Sequence, residues 1–181
     1  HNARNAAAAA VVGLVVGSPP EAVIDALARF GGVARRFEHR GAAAGVEFVD
    51  DYAHLPTEVA TTIRACRSGS WSRLVAVFQP HRYSRTESLA ASFAEAFDGA
   101  DVVYVTEVFP AGESPRPGVT GRLVADAVSA IRPGMDVRYE PRREDLVAGL
   151  VEELREGDLC LTMGAGDLTS VPDEVRNRLE V

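Results

Sequence analysis

The run Phe78-Gln79-Pro80-His81-Arg82-Tyr83-Ser84-Arg85-Thr86 gathers one imidazole, two guanidiniums and three hydroxyls into a single short segment. Guanidinium forks match the oxygens of carboxylates and phosphates, and His81 can donate, accept or carry charge beside them. The chemistry this permits is the holding of an anion, though a solvated loop with exposed charge would show the same residues. Two further segments of similar character follow apolar runs. Asp50-Asp51-Tyr52-Ala53-His54-Leu55-Pro56-Thr57-Glu58 follows Gly45 to Val49, and Met163-Gly164-Ala165-Gly166-Asp167 follows Asp158 to Thr162. A carboxylate at Asp50 or Asp51 could accept ribose hydroxyls, help to hold a metal, or simply cap the next turn. His54 reads either as a ligand-facing group or as an ordinary loop residue. The two glycines of 164–166 would let backbone amides approach a ligand, but their spacing is not that of a dinucleotide fingerprint, and a tight turn explains them equally. Tyr52 and Tyr83 are suited to stacking on a base or to packing.

These segments need strands behind them. Arg73 to Phe78 is a short apolar run of the kind buried on both faces in a parallel sheet, and Thr86 to Phe97 has helical spacing. Strands are expected near 36–40, 45–50, 73–79, 101–108, 136–140 and 158–163, with helices near 57–68, 86–98, 119–131, 143–155 and 169–180. This alternation predicts an α/β, Rossmann-like, doubly wound, mostly parallel six-stranded sheet. The short link from Arg40 to Gly45 allows one antiparallel edge strand. Ligands then collect at the carboxyl ends of the strands, where all three polar segments fall. Ser84, Thr86 and Glu87 read as the start signal of the helix after the third strand, with Ser84 as its cap. The proline-rich stretch from Phe109 to Gly118 is too long for a plain connector and reads as a semi-rigid flap, with Glu113 a candidate substrate contact, or equally as prolines that serve rigidity alone. Before the alternation begins, an alanine-rich helix from His1 to Val16 and a second, opened by Pro19-Pro20-Glu21 and closed by Gly31-Gly32, form a helical pair. That pair is expected to be the end of a preceding domain, and a start at His1 without methionine suggests a piece of something longer. The boundary is placed between residues 1–34 and 35–181.

Composition removes several kinds of chemistry. All 19 basic residues are arginine, so neither a phosphate loop of the G-x-x-x-x-G-K-[ST] type nor a Schiff-base lysine can reside in this chain. Cys66 and Cys160 are far apart and share no ligand spacing with the four histidines, which argues against a disulfide framework and a zinc site and fits a reducing, cytoplasmic setting. A net charge of −7 argues against broad nucleic-acid binding. No apolar run approaches the roughly 20 residues that span a bilayer.

Taken in order, His1-Asn2-x-x-Asn5, Arg35-Arg36-Phe37-Glu38, the Asp50 to Glu58 segment, the Phe78 to Thr86 segment, Pro110-Ala111-Gly112-Glu113 and Thr162 to Asp167 resemble the Mur ligase family along the whole chain, and within it the branch that joins L-alanine to UDP-N-acetylmuramate. The resemblance implies a three-domain, ATP-dependent, amide-forming enzyme of peptidoglycan synthesis, of which this chain would hold the end of the central ATPase domain (1–34) and the Rossmann-like C-terminal domain (35–181). The partners implied are UDP-N-acetylmuramate, L-alanine and the missing N-terminal and central domains. The cofactors implied are ATP and Mg2+, the latter held mainly by the central domain and by no metal ligand here. ATP would phosphorylate the muramate carboxylate, and the amine of L-alanine would attack the acyl phosphate.

Carried over by motif, Asn2 and Asn5 would contact adenine, Arg36 the nucleotide and Asp51 its ribose. His81, Arg82 and Arg85 would meet the amino acid and the acyl phosphate, with His54 a further substrate contact. The family pattern usually places a second histidine after the first, where this chain has Leu55. Two other readings of the residues remain: a receiver-like signalling module using the acidic pair, which ordinarily requires a lysine that is absent, and a stand-alone nucleotide-binding module.

Overall fold

The computed structural model describes residues 2–180; His1, Val181 and the side chain of Asn2 lie outside the described residues. The chain divides into two compact units, 1–33 and 34–181. In the first, α1 (Asn2–Val15) and α2 (Pro20–Arg29) form a hairpin. Gly13 lets the helices meet, since a Cβ there would lie 3.1 Å from the Val23 side chain. The described apolar side chains Val11, Val12, Leu14, Val15, Ile24 and Phe30 of this unit are all exposed.

The second unit is built on a six-stranded sheet among the described residues. Its strands are β1 (Glu38–Ala43), β2 (Val46–Asp51), β3 (Arg73–Phe78), β4 (Val102–Val105), β5 (Asp136–Tyr139) and β6 (Asp158–Met163), in the order β1-β2-β6-β3-β4-β5. Every pairing is parallel except that of β1 with β2, which confirms the expected antiparallel edge. Helices α3 (Pro56–Cys66) and α5 (Arg122–Ile131), with the segment following α4 (Tyr83–Leu89), cover one face. Helices α6 (Arg143–Glu153) and α7 (Val171–Leu179) cover the other. The central strands β3 and β4 are apolar apart from Arg73 because both faces are buried, whereas β2 and β6 also bury Asp50, Asp51, Asp158 and Thr162. On β3, Leu74, Ala76 and Phe78 enter the first layer while Val75 and Val77 enter the second. Phe78 sits at the centre of an aromatic cluster, its ring centroid 4.9 Å from Phe93 and 5.5 Å from Phe97.

Several boundaries differ from those the sequence suggests, each for a local reason. The first strand is not 36–40 but runs from Glu38 to Ala43. The left-handed residues Arg35 and Phe37 precede it, held by Glu38 accepting from Arg35 N and by Asp51 accepting from Phe37 N. The hairpin then turns on Ala44 and Gly45 alone, both at positive φ as a two-residue turn between twisted strands requires. The strand expected over 101–108 keeps only 102–105, since Glu107 turns back to bond Val108 N and Gly121 N. The helix expected over 86–98 begins earlier, at Tyr83, and passes into a 3-10 turn at 90–93.

Candidate functional site

Parallel pairing places the ends of β2, β6 and β3 side by side, with Asp51 opposite Met163 and Met163 opposite Phe78. The three polar segments therefore leave the sheet at one rim. Along that rim the side chains form a continuous row. The Arg35 and Arg36 guanidiniums lie 5.1 and 5.4 Å from the Tyr52 ring centroid, within cation–π range. Tyr52 meets His54 edge-on at 5.4 Å, and His54 lies 5.5 Å from His81. His81 in turn stacks on Phe109 at 5.7 Å and accepts a bond from Arg85. Arg36, His54, His81 and Arg85, called from separate motifs, are thus brought together.

The two histidines have distinct proton positions. His54 Nδ1 lies 3.0 Å from Tyr52 O, and a carbonyl can only accept, so Nδ1 carries the proton and Nε2 is the basic nitrogen. At His81 the logic reverses: Arg85 Nη1 can only donate, so Nδ1, 3.3 Å away, is unprotonated and Nε2 holds the hydrogen. Burial, followed by His54, Arg85 and Arg82, pushes the His81 pKa below its ordinary value of 6.5, with Glu113 opposing weakly. His81 is expected to titrate below 6.5 in an NMR pH series. The unfolded chain takes up this proton first as pH falls. The His81 contribution to stability is therefore complete above 6.5 and is lost as pH drops from there toward the folded-state value. A His81 midpoint at or above 6.5 would contradict the arrangement.

Arg82 is exposed, and its backbone adopts φ 70°, ψ 135°, a conformation that costs a non-glycine residue about 1–3 kcal/mol. It is held there by Arg82 N donating to Phe109 O at 2.8 Å, and by Thr86 N and Thr86 Oγ1 donating to Arg82 O. Among the described residues, Arg36, Arg82 and Arg85 form no ion pair with a carboxylate. Three guanidiniums on one rim without anionic partners make a surface ready for an anion.

The acidic pair behaves otherwise. Asp50 is fully buried and accepts from Thr162, Thr169 and Arg35. Asp51 is 4% exposed, its two oxygens taken by Phe37 N and Ala53 N at 2.8 Å each, and burial holds its carboxyl above the usual range. Both carboxylates are engaged within the protein, and neither is presented as a phosphoacceptor. Asp51 holds the backbone that aims Arg35 and Arg36 at Tyr52. Among the described residues no group of three or more His, Cys, Asp or Glu is placed to hold a metal ion. Asn5 is exposed on α1, in the separate first unit, and Asn2's side chain is outside the described residues.

Two expectations about neighbouring groups are corrected. Ser84 is not the helix cap, for Arg82 occupies that position and Ser84 lies in the first turn, bonded to Glu113. Glu113 is correspondingly engaged with the protein rather than free for a substrate. Gln79, Phe109 and Glu107 were not singled out from sequence. Gln79 Nε2 donates to Asp167, its Oε1 accepts from Leu168 N, and it fits only because residues 164 and 166 are glycines: a Cβ on Gly166 would stand 2.4 Å from Gln79 Oε1 and 2.5 Å from Phe109 Cγ. The close-packed turn, rather than a ligand cradle, explains the 164–166 glycines.

Comparison with known proteins gives one consistent result. Residues 35–166 match the Mur ligase glutamate ligase domain. The chain is 52% identical over 180 residues to a UDP-N-acetylmuramate–L-alanine ligase of Kineococcus radiotolerans, covering 99% of this chain and 38% of that protein. It is 50% identical to the ligase of that name from Saccharopolyspora erythraea, covering 99% and 36%. Among solved structures, the UDP-N-acetylmuramate-alanine ligase MurC of Thermotoga maritima superposes with a TM-score of 0.77 at 27% identity, over 98% of this chain and 37% of that one. The chain therefore spans well under half the length of these relatives. With the family's domain matched across most of the sheet and over the whole row from Arg36 to Arg85, the chain belongs to the Mur ligase family.

Proposed function

We propose that this chain is the C-terminal part of a cytoplasmic, ATP-dependent ligase that joins L-alanine to UDP-N-acetylmuramate in peptidoglycan synthesis. The carrying observation is the row Arg36–Tyr52–His54–His81–Arg85, whose three nearby guanidiniums have no carboxylate partner among the described residues. The relatives that share this stretch at about half identity bear that ligase name.

ATP, when bound, supplies the phosphoryl group that activates the muramate carboxylate. The residues present fit part of such a nucleotide. Arg36 is exposed, lies against Tyr52 and is available to phosphate oxygens, while the Tyr52 ring offers a face nearby. A ribose hydroxyl reaching Asp51 has to share an oxygen with Phe37 or Ala53. Among the described residues no group of three or more His, Cys, Asp or Glu is placed for Mg2+, which we assign mainly to the part of the protein outside this chain.

At the other end of the row, Arg82 and Arg85 suit the carboxylate of an amino acid and the negative charge that gathers when its amine attacks. Donors fixed in a strained, over-tied backbone need little reorganisation to meet that charge. His81, neutral and donating from Nε2, adds a hydrogen bond without repelling an incoming ammonium. His54 Nε2 is the basic nitrogen on the rim and is the candidate to accept a proton from the amine.

The gene-length protein, given UDP-N-acetylmuramate, L-alanine, ATP and Mg2+, is expected to release phosphate only when all are present, and the 181-residue chain alone to release none. Phosphate release that ignores L-alanine in the gene-length protein, or turnover by the isolated chain, would overturn the proposal.

A further inference from the structure

Residues 106–121, between β4 and α5, form a loop closed at its neck and fastened at its tip. At the neck, Glu107 Oε1 accepts from Val108 N at 2.7 Å and from Gly121 N at 3.1 Å, while Oε2 accepts from Tyr139 OH at 2.6 Å. The two ends come so close that a Cβ on Gly121 would lie 1.9 Å from Thr106 O. At the tip, Ala111 and Gly112 turn through positive φ and bring Glu113 over the first turn of α4. There Glu113 Oε2 accepts from Ser84 N at 2.9 Å, Glu113 Oε1 accepts from Ser84 Oγ at 2.5 Å, and Arg116 pairs with Glu87 at 2.6 Å. Ser84 N is one of the first-turn amides that a helix leaves without an internal partner, so this bond fills a real vacancy.

The loop therefore grips the segment that carries the rim cations from two sides. Phe109 bonds Pro80 O and Arg82 N on one side, and Glu113 holds Ser84 on the other. Arg82 lies between the grips in its strained conformation, which persists only where surrounding contacts over-determine it. We propose that Glu113 is a positioning residue: acting through Ser84, it holds the start of α4 so that Arg82, Arg85 and His81 keep their places on the rim. Its carboxylate is spent on Ser84 and touches no substrate. This rests on the ligase reading above, which supplies the substrate that the cations meet.

The test uses Glu113→Ala, Ser84→Ala and the double variant in the gene-length enzyme, together with NMR of the His81 ring and the Arg85 Nε–H in the 181-residue chain. Loss of a charge-assisted bond is expected to raise KM for L-alanine about tenfold in E113A and a few-fold in S84A, with kcat falling less. The double variant should be no worse than E113A, because both changes remove one shared interaction. A normal KM in E113A would overturn the proposal, as would an impaired E113A in which the His81 and Arg85 signals stay where they are in the wild type, since Glu113 would then meet substrate directly. Should a variant fold poorly, the NMR comparison decides. His81 and Arg85 signals must move in S84A while methyls of Leu159 and Leu161 stay fixed, and unmoved His81 and Arg85 signals overturn the clasp. If the wild-type gene-length protein lacks L-alanine-dependent phosphate release, the ligase reading fails, and the same NMR arm still tests the clasp.

Discussion

Asp50→Ala is expected to destabilise the second unit by about 3–5 kcal/mol, the usual consequence of removing one partner of a buried ion pair. The Asp50 side chain is wholly buried and that of Arg35 is 22% exposed, with Nε and Oδ2 3.1 Å apart. The same carboxylate also takes the hydroxyls of Thr162 and Thr169, each at 2.7 Å, so the substitution strands three donors at once. Arg35 further donates to Gly164 O at 2.6 Å, which ties β2 to the β6 loop across the rim. In a unit of this size the loss corresponds to a thermal shift of roughly 10 °C. Asp50→Asn should fall between, since one amide oxygen can still accept from a threonine while its NH2 confronts the guanidinium. The contrast is Asp25→Ala, which removes the exposed i,i+4 pair with Arg29 and should change stability by no more than about 0.5 kcal/mol. Denaturant melts of the three variants check this. A midpoint for D50A close to that of D25A would mean that the Asp50 network contributes little.

What the sequence made legible follows from how strands order a chain. Parallel strands deliver all their carboxyl ends to one edge, so reading strands near 45–50, 73–79 and 158–163 was enough to predict that His54, His81 and Gly164 share a rim. The direction in which a side chain points at the end of a strand is a finer matter. Asp50 and Asp51 occupy the last positions of β2, where the flanking β1 lead-in and β6 close over both carboxylates, and nothing in an acidic pair announces that burial. Least legible were ties between residues distant in sequence. The pattern Ser84-Arg85-Thr86-Glu87 has the residue types of a self-capping helix start. It reads differently only once Glu113, from another loop, supplies the acceptor that Ser84 would otherwise have to be. The early end of α4 has a similar origin, since the 3-10 turn at 90–93 sets Phe93 against Phe78.

Arg85→Ala in the gene-length enzyme is expected to lower kcat/KM for L-alanine by about 10²–10³-fold, the range found when one fixed donor to developing charge is removed. Arg85 is half-buried on α4, one turn from His81, and its guanidinium spends one N–H on His81 Nδ1 at 3.3 Å. No ion pair with a carboxylate is formed by it among the described residues, so stability should change little and the loss should fall on function. Arg85→Lys should recover only part of it, because a point charge on a shorter reach cannot both bond His81 and fork onto a carboxylate. A second consequence is independent of turnover. Arg85 is among the charges that depress the His81 pKa, so its removal should move that pKa upward, toward the ordinary 6.5, in the isolated chain. The pH window in which folding depends on His81 narrows accordingly, since the folded and unfolded values approach each other. A His81 midpoint that does not rise in R85A would break the link between the two side chains. Normal L-alanine kinetics in the same variant would remove Arg85 from the proposed amino-acid site.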